Sequence, residues 1–321
     1  MKAILQLSRL RIENANAITG CTWGFPGISH FLGFVHALSR KLNAQCGVQL
    51  GGCAVICHDH QVQAHQPGGW EWVFALTRNP LTKDGNTAPF NEEGRMHLTV
   101  SLLIECEFDA DNLALGGENR HENTQRFEQL IASLIPLQRL AGGTLTSHGQ
   151  IRFTELGADD AQKKATVRRM LWRLLPGFAL IERRDLLSEH HQQCLKQQAD
   201  ATLLDSLLDF VVLKQAAQAD PDGKVEWQRI PKPEAGYLVP ISVGYQAISP
   251  LYAPGEVSNS RDPAVPFRFV ESAYTLGEWR SPHRFDDLTP LLWRYLHVDD
   301  LYVCRNAHEA IPMETDISSL F

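Results

Sequence analysis

Near its start the chain reads AILQLSRLRIENANAITGCTWGFPGISHFLGFVHALSRKL (residues 3–42), an alternating segment followed by a helical one. Over residues 3–14 apolar side chains alternate with polar ones, which is typical of a strand with one buried face. From Pro26, which suits the first turn of a helix, apolar residues recur at helical spacing at Ile28, Phe31, Leu32, Val35, Leu38 and Leu42. We therefore predict a strand, a loop rich in glycine and aromatic residues, and an amphipathic helix.

The elements that follow predict an antiparallel sheet with helices on one face. Residues 51–59 read as a short buried strand, and residues 70–78 and 95–108 read as two longer strands. The connection between those two is rich in Pro, Asn, Asp and Gly, which predicts a long hairpin over about residues 69–106. A helix at 123–138 leads into RLAGGTL (139–145). This order is typical of the ferredoxin-like or RNA-recognition arrangement, whose second sheet face would be open to a ligand.

The domain organisation that we predict is one large α+β domain with insertions. The core covers residues 1–156, including the projecting hairpin. Residues 157–235 form a helical insertion, interrupted at LLPGFALIERR (174–184), that ends in an acidic, proline-rich surface connection. Residues 236–321 return to strands, complete the core and carry a loop on the ligand-facing side. A length of 321 residues is enough for a sizeable hydrophobic core.

Composition excludes several classes of protein. Hydrophobic residues make up 44% and charged residues 21%, as in an average folded protein. No apolar run reaches the roughly 18 residues that a membrane helix needs. The seven cysteines are scattered without a CxxC pair, so neither a disulfide framework nor a zinc ribbon is indicated. We expect a cytoplasmic protein with no membrane contact and no cofactor.

The charge is unevenly distributed along the chain. The net charge is -7, which by itself disfavours a nucleic-acid binder. Residues 139–184, however, hold nine basic and four acidic side chains, a balance of +5 that leaves -12 for the rest. This split fits a protein that offers one face to a polyanion and other faces to protein partners, although solvated helix faces also produce charge runs.

Ten strings spread over nearly the whole chain carry a resemblance to a known family. They are LRIENANAI (10–18), TWGFPG (22–27), GFVHAL (33–38), LTRNPLTKDG (76–85), EEGRMHLTVSLL (92–103), RLAGGTL (139–145), RLLPGFAL (173–180), SPLYAPGEV (249–257), RFVESAYTLGEW (268–279) and SPHR (281–284). In this order they resemble the second Csy subunits of type I-F CRISPR surveillance (Cascade-like) complexes.

The resemblance implies both a fold and a function. The fold would be that of a RAMP protein of the Cas-five group, a modified RNA-recognition core with a hairpin thumb. The protein would bind the 5′ handle of CRISPR RNA (crRNA), pair with the large Csy subunit, adjoin the neighbouring backbone subunit and meet target DNA through the complex. It would cleave neither RNA nor DNA, so it would not be an enzyme.

Residues before the insertion supply the first candidate RNA contacts. Gly142 and Gly143 allow a backbone to approach a phosphate, and Arg139 adds charge, although a plain tight turn is the better explanation of a Gly-Gly pair taken by itself. Asn14 and Asn16 can read base edges and Trp23 can stack a base, with a capped turn and a core Trp as the alternative. A further group lies at the two ends of the predicted hairpin stem: Arg78, Asn79 and Arg95. For Arg95 the alternative is a salt bridge to Glu92 or Glu93.

The C-terminal part supplies a second group of candidates. Arg261 and Arg268 flank two prolines in an extended loop, and Tyr245, His283 and Arg284 belong to the same region. In the insertion, Lys164 and Arg168 as well as Arg169 and Arg173 stand four residues apart opposite an apolar stripe. This basic helix could touch DNA, RNA or an acidic partner, or be a solvated face.

Two enzymatic alternatives remain open. The segment CHDHQVQAH (57–65) contains potential metal ligands, but strand alternation would give one site only two imidazoles. A metal-independent RAMP endoribonuclease that processes repeat RNA could use His30, His36 or His58 as general base. Nothing in the sequence joins a base, an acid and an oxyanion donor, so we predict no catalytic residue and no metal site.

Overall fold

The protein is a mixed α and β structure built on one large antiparallel sheet. The structure is a computed structural model that describes residues 2–77, 80–88, 91–109, 112, 115, 119–157, 159–219 and 224–306. The strands are β1 (Lys2–Asn16), β2 (Ile18–Thr19), β3 (Thr22–Trp23), β4 (Gln49–Val62), β5 (Ala64–His65), β6 (Val73–Phe74), β7 (Leu76–Thr77), β8 (Asn91–Glu92), β9 (Arg95–Glu107), β10 (Arg139–Leu140), β11 (Gly143–Ser147), β12 (Ile151–Glu155), β13 (Phe178–Glu182), β14 (Gln215–Ala219), β15 (Val225–Arg229), β16 (Leu238–Ala247), β17 (Val270–Arg280), β18 (Trp293–Val298) and β19 (Leu301–Asn306).

Five α-helices accompany the strands in the described part of the chain. They are α1 (Ile28–Cys46), α2 (Arg120–Leu134), α3 (Asp160–Trp172), α4 (Arg184–Gln197) and α5 (Leu203–Val211). Short 3-10 turns cover Ile135–Leu137, Pro282–Arg284 and Thr289–Leu291. None of the helices in these ranges combines the length and the apolar character that crossing a membrane requires.

The first half of the sheet places β1 at its centre. β11 and β12 pair with one edge of β1, β9 pairs with the other edge, and β4 pairs with the far side of β9, all antiparallel. The side chains of Leu5 and Leu7 point to one face, where they form a core with Phe31 of α1 and Phe127 of α2. We call this the helix face. The predicted strand over 3–14 and helix from 26 are confirmed as β1 and α1.

The second half of the sheet closes on itself. From β4 the pairing continues through β13, β17, β16, β19 and β18, and β18 pairs back to β4 at Trp293 and Cys53. The Trp293 side chain is fully buried, and its indole N–H donates to the Leu180 carbonyl at 2.9 Å. Closure leaves this ring without free strand edges.

The opposite face of the sheet is only partly open, which corrects the expectation of a free ligand face. Val167, Met170 and Leu171 of α3 pack on this opposite face together with Ile4 of β1 and Ile56 of β4. An apolar helix stripe must be buried, and the sheet supplies the partner surface. Beside Pro176, which follows α3, this part of the sheet carries His58 of β4 and Ser101 of β9, whose side chains are hydrogen-bonded to each other.

The predicted long strand over residues 70–78 is broken up: Trp70 and Trp72 are exposed, and the described residues form the two-residue strands β6 and β7. β7 pairs antiparallel with β8, so a short hairpin stem is present inside the predicted range 69–106. The long partner of β9 is β4, which extends to Val62. Because β1 and β4 occupy both edges of β9, no edge remains for residues 70–78.

The segment 157–235 is less helical than predicted. Phe178–Glu182 forms β13 inside the main sheet, and the helical part ends with α5 at Val211. Instead of a plain connection, β14 and β15 pair as a separate two-stranded ribbon. Short strands between helices carry too few residues for alternation to be recognised.

Candidate nucleic-acid interface

A two-residue hairpin turn joins β10 to β11, and of the Gly-Gly pair Gly142 lies in the turn while Gly143 begins β11. Ala141 and Gly142 occupy the turn with φ of 50° and 75°, as in a type I′ turn. Space around Gly142 is open, because a Cβ there would meet nothing within 4 Å. The tight-turn interpretation is therefore correct, and the turn also leaves a backbone surface that a ligand can approach.

This turn is pressed against the end of β1. A Cβ on Gly143 would lie 2.8 Å from the Glu13 carbonyl oxygen and 2.8 Å from the Ala15 nitrogen. The Asn16 N–H donates to the Ala141 carbonyl at 2.8 Å. Gly143 is therefore required for close approach to β1, and the contact fixes the position of the turn.

Asn14 belongs to an exposed polar cluster beside the turn. Its φ of 57° is left-handed, and its N–H donates to His97 Nδ1 at 3.2 Å. The Gln63 amide lies 2.9 Å from the Asn14 side-chain oxygen and 3.0 Å from His97 Nε2. Asn14, Gln63 and His97 thus come from three elements and present amide and imidazole groups at one end of the sheet.

The Asn16 side chain, which was predicted to read base edges, is instead engaged within the chain. Its side chain bonds both the N–H of Ile18, at 3.1 Å, and the Ile18 carbonyl, at 2.6 Å. The alternative of an Asn-stabilised turn therefore describes Asn16 better, because both ends of the amide are engaged. The Asn16 contribution to the site is its backbone N–H.

Trp23 lines a cleft between the segment 21–28 and the ring of strands. The cleft has a volume of about 850 Å³, and its aromatic lining includes Phe178, Tyr237 and Trp279. Trp23 is 53% exposed and meets Phe74 edge-on at 5.5 Å, so it is not the core Trp of the alternative. Trp279 is partly buried and packs against the core.

Arg95 lies opposite Asn16 in the pairing of β1 with β9. Its guanidinium is paired with Glu93 at 2.6 Å, so the salt-bridge alternative is correct for this residue. Arg78 and Asn79 lie outside the described residues.

Arg139 is the exposed cation of the turn. By strand register its side chain shares a face with those of Thr144 and Glu13, on the opposite face of the sheet. Among the described residues Arg139 has no ion pair, whereas Arg11 on the same face is paired with Glu13 at 3.4 Å. Arg139 therefore offers its charge to a ligand.

Arg9 is a residue that sequence analysis did not single out. It sits in a bulge of β1 with φ of 46°, and a guanidinium nitrogen lies 3.5 Å from the Leu175 carbonyl just beyond α3. A non-glycine residue at positive φ is often held there for function. The alternation in SRLRIEN places arginines on one face, but it does not reveal a bulge.

A hydrogen-bonded chain fixes the Arg9 bulge. The Arg9 N–H donates to Ser101 Oγ at 2.8 Å, and Ser101 Oγ lies 2.6 Å from His58 Nε2. His58 Nδ1 donates to the Pro176 carbonyl, also at 2.6 Å. Because a carbonyl only accepts, Nδ1 carries the proton, and in the neutral imidazole Nε2 accepts from the Ser101 hydroxyl. Burial lowers the pKa of His58, which favours this neutral form.

The C-terminal candidates form two groups away from the turn. Arg268 is paired with Asp300 at 2.8 Å, Arg261 is exposed in its loop, and Tyr245 lies beside Tyr302 on β16 and β19. His283 lies instead against α3, with its ring 5.7 Å from that of Trp172. The structure therefore does not gather the predicted residues into one site.

We use the name basic ridge for one exposed surface of α3 and the adjacent turn. Its members are Arg168, Arg169, Trp172, Arg173, His283 and Arg284. The four arginines have no ion pair among the described residues. The ridge ends near Arg9, because the Leu175 carbonyl that follows α3 lies beside the Arg9 guanidinium.

The segment 57–65 does not assemble the proposed metal or hydrolytic site. A bulge between Cys57 and Asp59 alters the strand alternation, and burial raises the pKa of Cys57 to about 12. His58 has both ring nitrogens engaged, as described above. His30 Nδ1 is bound to the Gly27 carbonyl at 3.2 Å.

Comparison with known proteins identifies the family. Residues 5–304 match the family described as CRISPR-associated protein (Cas_Csy2). The chain is 42% identical over 315 residues to "CRISPR-associated protein Csy2" of Pseudomonas aeruginosa (strain UCBPP-PA14), covering 93% of this chain and 92% of that protein. The chain therefore belongs to the Csy2 family of CRISPR-associated proteins, the second Csy subunits of the type I-F system that its sequence strings resemble.

Proposed function

We propose that this chain is a non-catalytic, cytoplasmic subunit that binds the 5′ handle of crRNA in a type I-F Csy complex. The observation that carries this proposal is the junction of the 141–142 turn with β1. An open turn, the unpaired Arg139 and the cluster around Asn14 meet there within one end of the sheet. Single-stranded RNA is recognised by such combinations of cations, amides and exposed backbone.

We further propose that the core is a modified RNA-recognition fold. Support comes from the strand order in the first half of the sheet. β11 and β12 pair with one edge of β1, and β9 and then β4 follow on its other edge. α1 connects β1 to β4 and α2 precedes β10, and both helices lie on the helix face. Two split strand-helix-strand units arranged in this way are the hallmark of the ferredoxin-like group.

A non-catalytic role is supported by the state of two of the three candidate bases; the third, His36, is exposed on α1. His58 and His30 each have a ring nitrogen hydrogen-bonded to a backbone carbonyl of their own chain, and burial lowers the pKa of both. An endoribonuclease needs a base that can reach a substrate hydroxyl. Partners in the proposed complex are the large Csy subunit and the adjacent backbone subunit.

Handle binding is tested by replacing Arg139. We expect Arg139→Ala, in the chain co-purified with its Csy partners, to weaken binding of handle RNA several-fold and to lower the log–log salt slope by about 0.7, the value for one phosphate of a single strand that is no longer neutralised. Fluorescence anisotropy with labelled crRNA measures both quantities. Arg126→Ala is the matched control, since Arg126 is exposed but paired with Glu122.

Two outcomes would contradict this proposal. Equal affinities for Arg139→Ala and Arg126→Ala would mean that neighbouring subunits hold the handle and that this chain is a structural adaptor. Site-specific cleavage of repeat RNA by the purified chain without metal would instead support the endoribonuclease.

We also propose that the basic ridge contacts the backbone of target DNA through the complex. Four arginines without acidic partners and an exposed Trp172 support this. A triple change of Arg168, Arg169 and Arg173 to Gln should weaken duplex binding and lower its salt slope by about 0.9 for each phosphate that the variant no longer neutralises. Handle affinity should be unchanged.

The control for the ridge removes the same charge elsewhere. Arg40, Arg126 and Lys196 are exposed on three other helices, and their change to Gln should leave duplex binding near that of the unaltered complex. Electrophoretic mobility shift across a salt series compares the two triple variants. If both lose affinity equally, net charge rather than the ridge is responsible.

A further inference from the structure

A cluster of potential metal ligands lies outside the proposed RNA and DNA surfaces, on the α4–α5 hairpin. His190 and Cys194 stand four residues apart on α4 and therefore share a face, and Asp209 reaches them from α5. His190 Nε2 lies 2.7 Å from Asp209 Oδ2 and 3.4 Å from Cys194 Sγ, and Cys194 Sγ lies 3.8 Å from the same Oδ2. The three ligand atoms lie within 4.8 Å of one another.

These distances are close to those of a tetrahedral zinc site. With zinc bonds of about 2.3 Å to sulfur and about 2.0 Å to nitrogen and oxygen, ligand atoms are separated by about 3.3 to 3.5 Å. On that standard the Cys194–His190 pair already fits, the Cys194–Asp209 pair must close by about 0.3 Å, and the His190–Asp209 pair must open by about 0.6 Å. A rotation of either side chain supplies this movement.

The arrangement differs from a catalytic Cys-His-Asp relay. In a relay the thiol and the carboxylate use different nitrogens of the imidazole. Here Cys194 and Asp209 both approach Nε2 of His190. Convergence of three donors on one point is the pattern of a shared ion.

The surroundings supply an outer layer that metal sites commonly have. Lys214 bonds Asp209 Oδ1 and leaves Oδ2 facing His190 and Cys194. Hydrogen-bonded ligating carboxylates orient and tune bound metals.

The cluster lies between α4 and α5, where a bound ion would stabilise the packing of the two helices. The core under the hairpin is small, with Leu187, Leu207, Phe210, Leu238 and Leu276 as its buried members. A metal that joins α4 to α5 would fasten two helices that this core holds with few side chains.

We propose that His190, Cys194 and Asp209 form a binding site for a zinc-like transition metal, with water as the fourth ligand. The ion displaces the Cys194 thiol proton to solvent and replaces the His190–Asp209 hydrogen bond. This proposal is independent of RNA binding.

Cobalt(II) titration of the full chain, stripped with a chelator and kept reduced, tests the site. We expect one Co²⁺ per chain, with the visible bands of a tetrahedral ion and a near-ultraviolet thiolate-to-cobalt band, all abolished by Zn²⁺. Cys194→Ser should lose the thiolate band, and His190→Gln or Asp209→Asn should weaken binding at least tenfold. Zn²⁺ should raise the melting temperature of the unaltered chain but not that of Cys194→Ser.

The control is Cys21→Ser, because Cys21 is the exposed thiol among the described cysteines. This variant should titrate like the unaltered chain. Absence of a thiolate band in the unaltered chain, or its loss in Cys21→Ser with retention in Cys194→Ser, would overturn the proposal. If Cys194→Ser does not fold, the His190 and Asp209 variants decide the question in the same way.

Discussion

Gly143→Ala is expected to destabilise the protein by about 3 kcal/mol, the upper part of the usual range for overpacking. The added Cβ would lie 2.6 Å from Ile12 Cγ2 and 2.8 Å from two backbone atoms of β1. A side chain could yield, but the backbone of a central strand cannot move without disturbing its pairing with β9 and β11. Chemical denaturation followed by circular dichroism measures the change in the free energy of unfolding.

Gly142→Ala is the matched control for this prediction. Gly142 has φ of 75° and open space where the Cβ would be, so its substitution costs only the left-handed backbone penalty of about 1 to 2 kcal/mol. Comparison of the two variants therefore separates the cost of crowding β1 at Gly143 from the cost of a left-handed backbone at Gly142. A Gly143→Ala variant no less stable than Gly142→Ala would mean that the turn does not rest on β1.

The same pair of variants also tests how the turn serves RNA binding. In Gly143→Ala the hairpin must move away from β1, which carries Arg139 away from Asn14 and its cluster. Handle affinity should then fall further than in Gly142→Ala, when both are measured at a temperature at which both variants are folded. We therefore expect Gly143 to affect both the free energy of unfolding and the affinity for handle RNA.

The parts of the fold that sequence predicted are those with strong local periodicity. The alternation over β1 and the apolar stripe of α1 each identify an element because burial of one face fixes the pattern. The missed elements depend on distant partners. Phe178–Glu182 becomes a strand through pairing with β17 and β4, and residues 70–78 fail to become a long strand because the edges of β9 are taken.

The candidate site shows the same limit. Arg139, Gly143 and Asn14 were predicted separately, and the pairing of β1 with β11 brings them together. Sequence analysis did not identify Arg9, Gln63 and His97, because neither a bulge nor a cluster built from three separate elements produces a pattern in the local sequence. For Asn16 and Arg95 the plainer alternatives are correct, since a turn and a salt bridge within the chain engage their side chains.

Removal of Arg305 is the second large effect that we expect. Arg305 on β19 is paired with Glu182 on β13, and the side chains are 8% and 6% exposed. Arg305→Met should cost about 3 to 5 kcal/mol, because it leaves the Glu182 carboxylate buried without its guanidinium. The ring of strands should be weakened at the contact of β13 with β19, where the Glu182 N–H also donates to the Asn306 side chain at 2.6 Å.

The double variant Glu182→Met with Arg305→Met tests whether the cost of Arg305→Met comes from leaving a buried carboxylate without its guanidinium. If the cost of Arg305→Met comes from an uncompensated charge, the double variant should be more stable than that single variant, since apolar replacement of a whole buried pair is often nearly neutral. Arg126→Met at the exposed pair with Glu122 should cost less than about 0.5 kcal/mol. Urea unfolding of the four variants, with Glu182→Met completing the cycle, gives the coupling free energy. A double variant that is less stable than Arg305→Met would show that the unpaired Glu182 carboxylate is not the source of the cost of Arg305→Met.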